Sequence, residues 1–576
     1  MRCLVTAALP YVNAIPHIGN IVGSHLPADI FARYLRSKGH DVLFVGGSDE
    51  HGTPNVLAAR EHGLPVEEFC ARLHEIHARI YRWFDISYDI FSRTSKPLHH
   101  EVTRDFFDRV RANGHIQEGD LEQFFCPKDE RFLPDRYVEG TCPHCRYRPA
   151  YGDQCERCGR SLEPRALIDP ACKICGARPA LRTSRHLFLR FDRIAPRLEE
   201  WIGRAEHWRP QVRAIAQGWL REGLRERCIT RDLEWGVKVP IPGFTDKVFY
   251  VWFDAPIGYI TFTREAAGDA ARFEGFWRDP GTRIFHWLGK DNIYFHSIFW
   301  PGMLMAEGTY SLPHRVDGLQ FLNYEGQKIS KSKKWGIFCE RLPEAGLDVD
   351  ILRGYLTFLI PETGDTEFRW DDLERRVNGE LIGTFANFVN RTISLARSKL
   401  GGEVVRPADG EMDPLDLELA AAAARRAAEA DRLLEAGELR TAFSEVLGLA
   451  ADGNRYFDRV APWKLAKSAE DRDRARAARV LWLCAAIARS LAVLAAPFLP
   501  RSAARIYAQL AIPGRPDEPG RYADAGRLDL PERHVLGEPQ PLFRKLAPEE
   551  VERARKIATE PSDLAALLEL PPPPTA

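Results

Sequence analysis

Apolar positions in the first fifty residues form two short runs separated by a periodic stretch. Residues 3–9, CLVTAAL, read as a buried strand, and residues 41–47, DVLFVGG, read as another. Between them VGSHLPADIFARYLRSKG carries its apolar residues at helical spacing and stops at Gly39. Strand, helix, strand in that order is a βαβ unit, which predicts a parallel sheet with its ligand at the carboxyl ends of the strands. Helical pattern continues to about residue 115. A cysteine- and proline-rich stretch follows to about 180, helices return to about 230, and strand-like runs resume with KVFYVWFDAPIGYI and RIFHWLGK. This predicts an α/β, Rossmann-like, parallel-sheet nucleotide-binding domain in two halves, 1–115 and 233–325, split by an insertion over 116–232.

From about residue 372 the composition shifts to alanine, arginine, leucine and glutamate at helical period, as in VNGELIGTFANFVNRTISLARSKL. Long helices with short connections predict an α-helical bundle over 372–511. Beyond it proline and glycine thicken, PEEVERARKIA reads as a short helix, and PPPPTA as a frayed tail. The segment 512–576 is expected to pack back on the rest.

Composition narrows the class. The hydrophobic fraction is 45%, the charged fraction 28% and the net charge −1, a soluble globular balance in which any nucleic-acid partner must meet local basic faces. The opening MRCLVTAALPYVNAIPHIGN does not read as a signal peptide, and no uncharged apolar run reaches the ~18 residues of a membrane span. VLWLCAAIARSLAVLAAPFLP is interrupted by Arg489 and reads as a buried helix. A cytoplasmic protein without membrane contact is expected.

Seven of the twelve cysteines fall between residues 126 and 175. Cys142/Cys145 and Cys155/Cys158 are two Cys-x-x-Cys knuckles, and four thiolates suit a closed, tetrahedral, structural zinc. Outside them Cys126-Pro-Lys-Asp129 and Cys172-Lys-Ile-Cys175 allow either a second zinc held by three cysteines and Asp129 or a degenerate site with free thiols. Cys3, Cys70, Cys228, Cys339 and Cys484 read as small buried residues.

GQKISKSKKWG, residues 326–336, places four lysines in one glycine-bounded stretch. Alone it reads either as a solvated loop or as a clamp for a polyphosphate. His17, Gly19 and Asn20 stand where the first strand gives way to a helix, a favourable place for phosphate or simply for a capping histidine. Trp252 in WFDAPIGY and His296 in IYFHSIF also suit an ordinary core. Asn387 and Arg391 share a helix face, and Trp463 follows a helix-breaking Ala-Pro.

PHIGN near the start and KISKS far downstream, with a split α/β domain between, resemble the class I aminoacyl-tRNA synthetases, whose motifs are written HIGH and KMSKS. AALPYVNAIPHIGN, DEHGTP, FLPDRYVEGTCPHC, YVWFDAPIGY, GKDNIYFHSIFWP and NRYFDRVAPWKLAK narrow the match. These blocks resemble the methionyl-tRNA synthetases, in that family's order, over roughly residues 1 to 510. Two positions depart: Asn20 replaces the last histidine of HIGH and Ile329 the methionine of KMSKS.

The resemblance implies a ligase that joins methionine and ATP (with Mg²⁺) into methionyl-adenylate and passes the methionyl group to the 3′-terminal ribose of tRNA(Met) with a CAU anticodon, the initiator included. It implies catalytic roles for His17, Asn20, Lys328 and Lys331, and ATP contacts from these with Gly19, Gly289, Asp291, Ser330 and Ser332. The methionine wall would be Leu9, Tyr11, Trp252, Ala255, Pro256, Tyr259, Phe295, His296 and Trp300, with Asp49 holding the ammonium. Asn387, Arg391 and Trp463 would form the anticodon-binding site within the bundle. Residues 326–371 would form the lysine loop and a stem-contact region. No additional editing-sized segment is present in the insertion, so proofreading is expected in the synthetic site, and a monomer is expected from the absence of a dimerising extension. The competing readings are a class I synthetase for another apolar amino acid and a zinc-knuckle RNA-binding protein without catalysis.

Overall fold

A parallel five-stranded sheet forms the centre of the first half of the chain. The computed structural model describes all residues except 153, 154, 156, 159, 161, 163, 331, 332, 409 and 570–576, with Asp135 described in its backbone alone. Strand β1 (Arg2–Ala7) leads through a loop and the helical turns Ile18–Asn20 and Ile21–His25 into helix α1 (Leu26–Ser37), then β2 (Asp41–Ser48) and β3 (Ile90–Arg93). After the insertion come β6 (Arg283–Gly289) and β7 (Arg315–Leu319), and the sheet order is β7-β6-β1-β2-β3. All four pairings are parallel. The order reverses between β1 and β6, so a crevice opens at their carboxyl ends, where open α/β sheets bind ligands.

The insertion rises on a long antiparallel ribbon of β4 (Ile116–Cys126) and β5 (Ala180–Leu189), with the knuckles beyond its tip. A buried polar network secures the ribbon near the sheet. Lys247 Nζ donates to Ser184 Oγ at 2.8 Å and pairs with Asp232, whose other oxygen lies 3.1 Å from His186 Nε2.

The KVFYVWFDAPIGYI run differs from its sequence reading. Only Val248–Phe249 is strand; Val251–Asp254 and Gly258–Ala267 are α-helix, joined by a 3₁₀ turn. An unbroken apolar run fits a buried strand and a buried helix equally, and here Pro256 and Gly258 sit inside helical turns that pack on the sheet.

The helical half contains α2 (Asn387–Leu400), α3 (Pro414–Ala436), α4 (Leu439–Val460) and α5 (Asp471–Ala495). Helix α5 is long and apolar enough to cross a membrane, but 89% of its most apolar window is buried in the bundle. Asp413 caps α3 by accepting from Leu415 and Asp416 N–H, a start signal visible in the sequence. The two halves are tied by Arg353, which is fully buried and donates to Asp29 Oδ2 at 2.7 Å. It also donates to the carbonyls of Phe84, Phe498 and Pro497, so its charge is satisfied on both sides of the junction. Helix α6 (Pro548–Thr559) and the short α7 (Leu564–Glu569) follow, returning to the sheet side.

Candidate functional site

The crevice at β1 and β6 is a cavity of about 360 Å³. Leu9, Tyr11, His17, Gly19, Asn20, Gly289, Asp291, Lys328 and Ile329 all line it, so residues from the chain start, from β6 and from the lysine loop meet. Ser24 closes the floor: its Oγ accepts from Ala8 N–H at 2.9 Å and donates to Trp287 O at 2.8 Å, joining β1 to β6.

His17 caps the helical turn that begins at Ile18, and Asn20 Oδ1 accepts the His17 N–H at 3.0 Å. The amide oxygen of Asn20 is therefore spent on the cap, leaving its NH₂ as the group that can donate. A Cβ at Gly19 would stand 2.9 Å from the His17 ring and 3.3 Å from Ile329 Cδ1, so glycine is what lets the three approach. Gly336, with φ near +149°, has no room for a Cβ against Ile329 Cγ2. Ile329 is buried between the two glycines and pins the lysine loop over the first motif.

Ser330 and Trp335 exchange backbone hydrogen bonds of 2.9 and 3.0 Å, which close the base of the loop. Lys331 and Ser332 lie outside the described residues. Lys328 Nζ sits 4.9 Å over the Phe321 ring, on the cavity side. Beyond the loop the chain returns to the first motif: Ile18 N–H donates to Ile337 O at 3.1 Å and Cys339 N–H to Pro16 O at 3.1 Å.

An aromatic wall adjoins this cavity. Trp252 stacks on Phe295 with centroids 3.6 Å apart and planes 8° from parallel, and meets Tyr11 edge-on at 6.3 Å. Tyr259 donates to His296 Nε2 at 2.9 Å, while His296 Nδ1 lies 3.1 Å from Asn292 O. A carbonyl only accepts, so Nδ1 carries the proton, and burial, which lowers the His296 pKa to about 4, keeps the ring neutral. Ala255 and Pro256 form the turn between Trp252 and Tyr259. Trp300 is fully enclosed behind Tyr259, among Phe106 and Trp277.

Asp49 lies at the end of β2, its N–H on Pro10 O at 2.9 Å. It is 4% exposed, and its Oδ1 meets no hydrogen-bond partner among the described residues. Burial, then the nearby Asp254 carboxyl, pushes its pKa well above the carboxylate range. Sequence reasoning passed over the pair behind it. His51 Nδ1 and Asp254 Oδ2 are 2.7 Å apart and fully buried, tying the Asp49 loop to the Trp252–Pro256 turn. A signal was in view, since DEHG and WFDAP each carry a titratable residue beside an expected contact.

The cysteines gather as their spacing implies. Cys142, Cys145, Cys155 and Cys158 bring their sulfurs within 4.8 Å of one another, with Cys145–Cys155 at 3.5 Å and Cys142–Cys158 at 4.0 Å. Four sulfurs about 2.3 Å from one ion would stand about 3.8 Å apart, so the donor set fits a tetrahedral metal. Cys126, Asp129, Cys172 and Cys175 form a second such group, with Cys126–Cys175 at 3.5 Å and Cys172 Sγ–Asp129 Oδ2 at 3.1 Å.

In the bundle Asn387, Arg391 and Trp463 lie on one face. The Arg391 guanidinium stands 5.6 Å from the Trp463 ring centre and 4.5 Å from that of Phe457, and is held by Asp458 at 2.6 Å. Asn387 Nδ2 donates to Asn454 Oδ1 at 3.1 Å. Phe457 and Asp458, unnoticed in the sequence, complete this stack and its charge partner.

A split parallel-sheet nucleotide site, a cysteine-knuckle insertion and an appended bundle with a stacking face define a class I tRNA synthetase. The family model described as tRNA synthetases class I (M) matches residues 3–393, and that of the anticodon binding domain of methionyl tRNA ligase matches 406–559. The chain is 42% identical over 549 residues to a methionine–tRNA ligase of Bacteroides fragilis, covering 95% of this chain and 79% of that one. It is 41% identical over 558 residues to the human cytoplasmic methionine–tRNA ligase, covering 96% and 61%. Among solved structures, a Mycobacterium tuberculosis methionyl-tRNA synthetase in complex with methionyl-adenylate superposes with a TM-score of 0.79 at 27% identity, over 94% of this chain and 99% of that one. The chain belongs to the methionyl class I tRNA synthetase family.

Proposed function

We propose that the chain is a cytoplasmic methionine–tRNA ligase whose two half-reactions use the residues assembled above. One observation carries this reading: the His17 turn and the lysine loop, distant in sequence, face one cavity beside an apolar wall with a buried carboxyl. Methionine lies along Tyr11, Trp252, Tyr259, Phe295 and His296, its ammonium on Asp49 and its carboxylate toward the cavity. The carboxylate attacks the ATP α-phosphorus in line, a new O–P bond forms, and the bond to the β-phosphate breaks, releasing pyrophosphate. His17, the Asn20 NH₂, Lys328 and Lys331 donate to oxygens that gain negative charge, while Gly289, Asp291, Gly19, Ser330 and Ser332 seat the nucleotide. Magnesium enters with ATP. In the second half-reaction the terminal ribose hydroxyl of tRNA attacks the methionyl carbonyl carbon and AMP leaves. The enzyme should support methionine-dependent ATP–pyrophosphate exchange and charge a CAU tRNA. Exchange driven by another apolar amino acid and not by methionine would refute the assignment.

Asn387, Arg391 and Trp463 read the anticodon. A planar guanidinium beside a half-buried indole offers a stacking surface for a splayed base, worth about 1–3 kcal/mol per base. Trp463→Ala is expected to raise the KM for tRNA by roughly ten- to a hundredfold while pyrophosphate exchange stays near wild type. Equal loss of both would mark Trp463 as a packing residue.

Zinc is the metal that suits four thiolates, and three thiolates with a carboxylate are an acceptable second set. These groups shape the insertion, which would orient the acceptor end of tRNA; no step of the chemistry passes through them. Metal analysis of the purified chain should find two zinc ions, and Asp129→Ala should leave one. One zinc in the unaltered chain would exclude the second site.

A further inference from the structure

Two segments that line the nucleotide site are held from outside by a third. Val12, in the loop between β1 and His17, is fully buried in a small apolar cluster with Phe69, Cys70, Leu73 and Leu568. Leu568 belongs to α7, and its carbonyl accepts from the Arg72 guanidinium. A few residues earlier the same stretch meets the chain that leaves the lysine loop. Ala558 O, near the end of α6, accepts the Phe338 N–H at 3.0 Å, and Ser562 N–H donates to Glu340 Oε1 at 3.1 Å. Phe338 is paired across its other edge with His17, flanked by the Ile18–Ile337 and Cys339–Pro16 hydrogen bonds. The short extended piece 337–339 is thus bonded on one side to the first motif and on the other to the end of α6.

We propose that residues 558–568 are a positioning strap that sets the separation of the His17 turn and the lysine loop, resting on the reading that both hold ATP. The strap touches neither substrate. Its leverage comes from where it grips: at Val12, one residue past the methionine-wall Tyr11, and at Phe338–Glu340, just beyond Gly336. The Val12–Leu568 cluster is small and distinct from the main core, which the strap meets through Ala558, Leu564 and Leu567, so a charge placed at Leu568 should loosen the Val12 grip without unfolding either half.

The test uses the full chain. Leu568→Asp places a charge in the Val12 cluster, Glu340→Ala removes the Ser562 acceptor, and Glu340→Gln keeps an oxygen there. With rates normalised to adenylate-titrated sites, the first two should lower kcat/KM for ATP by roughly tenfold or more and leave KM for methionine within about twofold, and Glu340→Gln should remain near wild type. In parallel, hydrogen–deuterium exchange should speed up at the amides of Ile18, Phe338 and Cys339 in Leu568→Asp. Unchanged exchange at those amides overturns the strap whatever the substrate proves to be. So does an equal loss of ATP and methionine parameters, or Glu340→Gln as impaired as Glu340→Ala. Absence of methionine-dependent activity in the unaltered chain, with faster amide exchange in the variant, would instead refute the functional reading and leave the strap standing.

Discussion

Lys328→Ala is expected to slow methionyl-adenylate formation by roughly 10²–10³-fold, with methionine binding almost unaffected. The magnitude follows from the charge that builds as the bond to the β-phosphate breaks. An ammonium held over the Phe321 ring at the exposed rim of the cavity stabilises that charge more in the transition state than in bound ATP, so its removal falls on kcat. The structure makes the substitution a clean one. Lys328 pairs through its backbone with Asn323, and the loop behind it is fixed by Ile329 between Gly19 and Gly336. Deleting the side chain therefore removes a charge and leaves the loop's path. Single-turnover measurement of adenylate formation, with methionine affinity taken from equilibrium binding, separates the two effects. A variant with unchanged adenylation rate, or one whose loss lies wholly in methionine affinity, would remove Lys328 from phosphate stabilisation.

Much of this site is legible in the sequence because it is built from local signals. The βαβ opening announces itself through a change of hydrophobic period, and the crevice follows from the strand order it imposes. Cysteine spacing marks the knuckles because two residues between thiols suffice to curl a chain around an ion. Other features depend on contacts that no local pattern encodes. Ile329 looks like a conservative replacement in a lysine motif until Gly19 and Gly336 are seen on either side of it. The His51–Asp254 bond joins two expected contact regions across about 200 residues of chain and leaves no periodic trace. Phe457 and Asp458 read as one more turn of α4 until Phe457 is seen stacked on Trp463, with Arg391 over both rings and paired to Asp458. Within KVFYVWFDAPIGYI, Val251–Ile260 reads as strand but folds as helical turns because V-F-Y-V-W-F is apolar throughout, so only packing decides which period it adopts.

Asp49→Asn is expected to raise the KM for methionine by some thirty- to several-thousandfold, about 2–5 kcal/mol of lost pairing between a buried carboxylate and the ammonium. The same substitution should not cost stability. Asp49 is buried, and burial first and Asp254 second raise its folded pKa, so the ionised form is disfavoured in the empty site. A folded pKa above the unfolded value near 3.9 means the folded chain holds more protons than the unfolded one as pH rises past that point. Stability contributed by this group is therefore fully present below the unfolded pKa and falls with rising pH until the raised folded value is passed. An uncharged amide in its place carries no such slope. Melting temperature plotted against pH should decline less steeply in the variant, and at neutral pH the ligand-free variant should melt no lower than the unaltered chain. Saturating methionine should reverse that ranking, because the ammonium supplies the missing counter-charge only to the aspartate. A variant that melts lower at every pH while its methionine KM stays put would make Asp49 a structural residue and leave the ammonium without its proposed partner.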